Sequence, residues 1–153
     1  MSIAKRRFFF LVSICVFGLP LLPRSALGLQ TTADLTVVIS KLRTNAGLVN
    51  VGLYNTKEGY LSRGTIDPFR KAKIAVDDYT AEYTFKQIPF GEYTIKYFHD
   101  ENENGKIDFN FLRLPVEPYG FSNNAHGALG LPQYNRAKFI IESGQNTMQL
   151  FVN

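Results

Sequence analysis

The sequence predicts an all-β domain, a seven-stranded antiparallel β-sandwich with one long functional loop, and three observations lead there. From Asp34 onward apolar and polar residues alternate with a period of two, the pattern of strands that bury one face and wet the other. Turn-forming clusters such as Asn45-Ala46-Gly47, Ile88–Glu92 and Glu142–Asn146 separate the alternating runs. No stretch repeats its apolar residues at helical spacing, so the strands must bury themselves on one another. With 45% hydrophobic and 14% aromatic residues, a chain of 153 has ample material for one core and does not belong to the disordered class.

The first element stands outside that domain. Lys5, Arg6 and Arg7 precede an apolar run from Phe8 to about Leu22, and Ala26 and Gly28 are small, which is the layout of a signal peptide over residues 1–28. The run is short for a membrane span and is broken by Gly18 and Pro20, so no transmembrane span is expected after cleavage. The formal charge of +4 follows from the same segment. Four of the 17 basic residues, Lys5, Arg6, Arg7 and Arg24, lie in it, leaving 13 against 13 acidic ones. A neutral domain over 29–153 carries no electrostatic footprint for nucleic acid. The single cysteine, Cys15, also lies in the signal, which removes disulfides and thiolate chemistry from the remainder. A secreted or periplasmic protein of the cell envelope is expected.

The seven strands follow in order. Leu35, Val37 and Ile39 mark the first, and Val49, Val51 and Leu53 the second. Residues 55–70 form a loop with one helical turn. Ala72, Ile74 and Val76 mark the third strand, Ala81, Tyr83 and Phe85 the fourth, and Tyr93, Ile95 and Tyr97 the fifth. After a gap come Ala137, Phe139 and Ile141, then Met148, Leu150 and Val152. Thr, Lys, Glu and Gln fill many of the intervening places, as in antiparallel sheets with one solvated side. The segment Phe85–Tyr93 reads F-x-x-I-P-x-G-x-Y, with Pro89 and Gly91 making a corner. It resembles the lead-in to a strand common in immunoglobulin-like, transthyretin-like modules of secreted proteins, and that resemblance implies a sandwich of this type.

Residues 99–136 break the spacing with no strand or helix pattern. Connections longer than about 12–15 residues in compact domains are often functional. Its first part places Asp100, Asn102, Asn104, Gly105 and Asp108 at the spacing of a calcium loop. The three alternate side chains, the carbonyl of Lys106 and the Asp108 carboxylate can converge on one cation, with Gly105 allowing the bend. An EF-hand would carry glutamate where Phe111 stands and would have flanking helices. With about five protein oxygens the expected affinity is weak, a Kd on the order of 10⁻⁴–10⁻³ M. A metal-free reading stands beside it, in which the same side chains accept backbone N–H groups as Asx-turns.

A second resemblance rests on His99–Asp108, Pro115-Val116-Glu117, Tyr119-Gly120-Phe121-Ser122-Asn123-Asn124, Gly130-Leu131-Pro132 and Ala137-Lys138-Phe139. Together these resemble a family of small secreted bacterial proteins classed as a domain of unknown function. Arg113 and Pro118 stand where that family's pattern has glycine. The resemblance implies export and a sandwich fold, and it brings no activity.

For function, the expectation is a non-enzymatic binding or interaction module at the cell envelope. Its ligand surface is expected at His99, Glu117, Tyr119, Ser122, Asn123, Asn124 and Tyr134, with an envelope protein or a glycan as partner. No catalytic residues and no cofactor other than calcium are expected. The loop aromatics Phe109, Phe111, Tyr119, Phe121 and Tyr134 are expected mainly to fill a small core of the loop's own, with Tyr119 and Tyr134 showing a face to solvent. One alternative is a small hydrolase using His99, Glu117 and His126 for acid-base chemistry. Another is a purely structural envelope protein. Ser122 lacks the second glycine of a nucleophile elbow.

Overall fold

β-Branched and aromatic residues dominate the alternating runs, and those runs are extended in the computed structural model, which describes residues 31–62, 64–127 and 130–152. The export signal expected over residues 1–28 lies outside the described residues. Strands β1 (Thr32–Ser40), β2 (Leu48–Tyr54), β3 (Arg70–Ala75), β4 (Ala81–Pro89) and β5 (Gly91–Asp100) come first, with helix α1 (Lys57–Leu61) between β2 and β3. Strand β6 (Tyr119–Phe121), a 3-10 turn (Ser122–Asn124), helix α2 (Tyr134–Ala137), β7 (Phe139–Ile141) and β8 (Asn146–Phe151) complete the order. Thr56 starts α1 as its cap, accepting a hydrogen bond from the Gly59 amide at 3.0 Å.

The strands form two sheets, one ordered β4-β1-β8 and the other β3-β2-β5-β6, with β7 paired to the start of β5. Leu35, Val37 and Ile39 of β1, Val49, Val51 and Leu53 of β2, and Tyr93, Ile95 and Tyr97 of β5 are all buried, and they belong to one cluster drawn from both sheets. Each fully buried Val, Leu or Ile contributes roughly 1.5–3 kcal/mol, so this shared core is the main source of stability. The chain passes from one sheet to the other at Phe90, between Pro89 and Gly91, where the Tyr93 hydroxyl donates to the Pro89 carbonyl at 2.9 Å. A smaller cluster of Tyr54, Tyr60, Phe121, Ala125 and Ala137 lies under α1 and the 122–137 segment. There burial pushes the Tyr60 phenol up to about 12, and its hydroxyl donates to the Pro132 carbonyl at 3.0 Å.

Four expectations are corrected. There are eight strands among the described residues, because Tyr119-Gly120-Phe121 pairs with Lys96–Phe98 as β6; three residues are too few for alternation to register. The fold is not wholly antiparallel, since β1 and β8 run parallel, with Ile39 opposite Leu150; a period of two marks a strand without fixing its direction. Ala137 ends α2 instead of opening a strand. Tyr83 is 40% exposed despite its in-phase position, because β4 is the outer strand of its sheet, and its ring packs edge-on against Phe85. No helix among the described residues is long and apolar enough to cross a membrane.

Candidate functional site

Strand β5 carries the irregular segment at its end, and its pleat sends His99 and Asp100 to opposite faces. Both are buried. Asp100 Oδ1 accepts from the Asn104 amide at 3.0 Å, while Oδ2 accepts from the Gly105 amide at 2.8 Å and from Asn50 Nδ2 at 3.1 Å. Asn102 Oδ1 accepts from the Asn104 amide at 3.1 Å, and Asn104 Oδ1 from the Lys106 amide at 2.8 Å. Their Nδ2 groups both donate to the Asp108 carboxylate, at 2.7 Å and 3.1 Å. The expected metal residues Asp100, Asn102, Asn104 and Asp108 are therefore gathered in one turn around Gly105, whose φ of 80° supplies the bend. Each of these side-chain oxygens takes an N–H from the chain itself. Among the described residues no group of three or more His, Cys, Asp or Glu is placed to hold a metal ion.

Glu117 and Arg43 fix this turn from outside. Glu117 is buried, and its two oxygens accept from the Glu101 and Asp108 amides at 3.0 Å each. Arg43 makes a two-pronged contact with Glu101, at 2.6 and 2.7 Å, and donates to the Val116 carbonyl at 3.0 Å. The Arg43 hydrogen bond holds the Glu101 carboxyl below its ordinary value, against an opposing effect of burial. His99 places Nε2 on the Ala46 carbonyl at 2.8 Å, and Nδ1 lies 3.6 Å from Glu101. Close by, Gly47 has φ 79°, and a β-carbon there would lie 2.2 Å from the Asp100 carbonyl oxygen, so this crossing requires glycine.

The Tyr119–Asn124 stretch is a clamp. Ser122 is buried, accepting from the Ile95 amide at 2.9 Å and donating to the Ala137 carbonyl at 2.5 Å. Asn123 donates to the carbonyls of Arg136 and Lys138. Asn124 accepts from the Phe151 amide at 2.8 Å and donates to the Gln149 carbonyl at 3.1 Å, so that its side chain serves β8 as a neighbouring strand would. Tyr134 packs edge-on against Tyr60, with ring centres 5.9 Å apart. His126 is exposed, and no hydrogen bond or ion pair joins it to His99 or Glu117.

The aromatics of the segment divide. Phe121 is buried and Tyr119 half-buried, whereas Phe109 is exposed and Phe111 is 91% exposed. The expected packing role is corrected for those two. Asn110 Oδ1 accepts from the Leu112 and Leu114 amides, and the Asn110 amide bonds back to Leu114. This tight turn leaves Phe111, Leu112 and Leu114 exposed at its tip.

One concave feature lies on the outer face of the five-stranded sheet, a position that the sequence reading did not single out. Strand register places Lys73, Asn50, Phe98 and Tyr119 in one row across β3, β2, β5 and β6. The next row holds Lys71, Gly52, Lys96 and Phe121. Pro68 and Tyr54 border this face on one side and Gly105 and Ile107 on the other, enclosing a groove of about 700 Å³. A β-carbon on Gly52 would sit 3.1 Å from the Tyr54 ring and 3.3 Å from Pro68 Cβ, so the glycine keeps the floor open. Lys96 donates to the Tyr60 and Ser62 carbonyls at 2.9 Å each and lies 4.2 Å over the Tyr54 ring. Burial lowers its pKa. The sequence signal for the groove was weak, Gly52 and Phe98 at outward positions of β2 and β5 that otherwise alternate with polar Asn50 and Lys96.

A model of the family described as "Uncharacterized protein conserved in bacteria (DUF2141)" matches residues 37–149. That span runs from within β1 to within β8 and includes every element of the groove. No curated protein and no solved structure matches the chain.

Proposed function

The chain belongs to the DUF2141 family, and from that premise we propose a non-enzymatic binding module, exported to the periplasm or cell surface, that holds a ligand in the groove on its five-stranded sheet. The fold proposed with it is an immunoglobulin-like, transthyretin-like sandwich, supported by two sheets sharing one core and by the corner at Pro89–Gly91. Export is supported by the basic and apolar layout of residues 1–28.

One observation carries the binding reading. The outer face of such a sheet ordinarily meets bulk water, yet here Asn50, Gly52, Lys96, Phe98 and Tyr119 are half-buried between two flanking loops without any core above them. The volume lies within the range of about 300–1,000 Å³ typical of ligand pockets. Of the three residues considered for acid-base chemistry, His99 is buried on the Ala46 carbonyl and Glu117 is bonded to two backbone amides, while His126 is exposed and bonded to neither. Calcium belongs to the proposal as a weak ligand of the 100–108 turn. To enter, it must turn the Asn102 and Asn104 amides away from Asp108, which sets its affinity at the millimolar end.

The uncharged dye Nile red tests the groove. One-site fluorescence titration is expected for the native protein, with at least tenfold weaker binding for Phe98→Glu and for Tyr119→Ser, and no change for Glu82→Gln on the other sheet. Equal titration curves for all four proteins would remove the groove as a binding site.

A further inference from the structure

The charged residues lining the groove are all basic. Lys71 and Lys73 stand on its β3 side, Lys96 contributes to its floor, and among the described residues no carboxylate lines it. This asymmetry occurs in a chain whose residues after Gly28 balance 13 basic against 13 acidic. Lys71 and Lys73 are exposed and make no ion pair or side-chain hydrogen bond among the described residues. Asp100 accepts a hydrogen bond from Asn50, and its two oxygens are occupied by three N–H donors. Asp67, beside Pro68, is exposed.

The rest of the groove is apolar and has a direction. From Lys73 on β3 the row runs past Asn50 to Phe98 and Tyr119 on β6, three interstrand spacings or about 14 Å. Ile107 forms part of the wall, and two residues later the chain enters the turn whose Phe111, Leu112 and Leu114 stand in water. Cations at one end and hydrocarbon and aromatic surface along the remainder complement a molecule with an anionic head and an alkyl body.

Resting on the groove reading above, we propose that the ligand is a free single-chain anionic amphiphile, such as a fatty acid, with its head at Lys71 and Lys73 and its chain along Phe98 and Tyr119. Head and tail make separable contributions. Removing a methylene weakens binding about fourfold, and reversing the head charge sets the ligand against the two lysines.

The test uses the protein in the form cells accumulate, loaded with Nile red and titrated below micelle-forming concentrations with dodecanoate, decanoate and dodecyltrimethylammonium. Dodecanoate is expected to displace the dye at a concentration at least tenfold lower than either competitor. In a Lys71→Gln/Lys73→Gln variant with an unchanged melting temperature, the preference for dodecanoate over dodecyltrimethylammonium falls to within about threefold. Equal displacement by both head charges, while Phe98→Glu and Tyr119→Ser still lose the dye, overturns the anionic ligand and leaves the groove standing. Dye binding insensitive to both groove variants overturns the groove and the ligand together. Co-sedimentation with phosphatidylglycerol vesicles without displacement by free dodecanoate assigns the surface to a membrane and overturns the free-ligand proposal.

Discussion

The turn at residues 100–108 and the groove beside it share Gly105 as a border, yet they treat their polar groups in opposite ways. In the turn every side-chain oxygen of Asp100, Asn102, Asn104 and Asp108 has an N–H partner within the chain. On the groove rim Lys71 and Lys73 have no partner among the described residues, and Phe98 and Tyr119 leave part of their surface uncovered. An abundance of ligating atoms thus marks a region that holds its own shape. Unspent atoms mark the region available to something else. Substitutions in the turn should therefore register as lost stability, whereas those on the rim should register as lost binding.

The largest effect that would sharpen this contrast is expected from Asp100→Ala. It removes the acceptor of the Gly105 amide and of the Asn50 side chain and leaves the Asn104 amide on Asn102 alone, and a loss of about 2 kcal/mol in urea unfolding is expected. A loss under 1 kcal/mol would break the comparison, because the turn would then not depend on its internal bonds. Calcium comes next. At ten times its Kd, stabilisation of about 1.4 kcal/mol is expected by mass action, seen as a higher melting temperature in calcium than in chelator and absent from Asp108→Ala. Identical melts would leave the turn as a hydrogen-bonded wall alone.

The smallest effect concerns Glu101. Its carboxyl titrates below its ordinary value near 4.5 because Arg43 bonds to the ionised form. The resulting stability is fully present above that ordinary value and is lost as the pH falls through the lower value of the folded state. Arg43 is 57% exposed, and water screens the pair to about 0.5 kcal/mol. The stability gap between the native protein and Glu101→Gln, measured by chemical unfolding across pH, should be open at neutrality and close on acidification. A gap that widens in acid would contradict this assignment.

Alternation made the long strands legible. Leu35, Val37, Ile39, Val49, Val51 and Leu53 were assigned to the buried face from spacing alone, and all are buried. Strand neighbours were not legible, since the pairing of Ile39 with Leu150 depends on how the sheets close and not on any local pattern. The 100–108 turn announced itself through residue type, and its residues do converge. Whether oxygens meet a cation or an amide depends on orientation, which spacing does not encode. Phe111 illustrates the same limit, because the bonds of Asn110 decide that it points outward. The groove was hidden for another reason. Lys73, Asn50, Phe98 and Tyr119 come from four strands, and only register brings them into one row.

The parallel pairing of β1 with β8 has a consequence for how the molecule is made. β1 is the middle strand of its sheet, and one flank is supplied by residues 146–151, far along the chain from it. A chain made from its N-terminus therefore holds β1 with one edge unpaired until residues 146–151 have joined it. Contacts of such long sequence separation slow folding, so this sheet closes late.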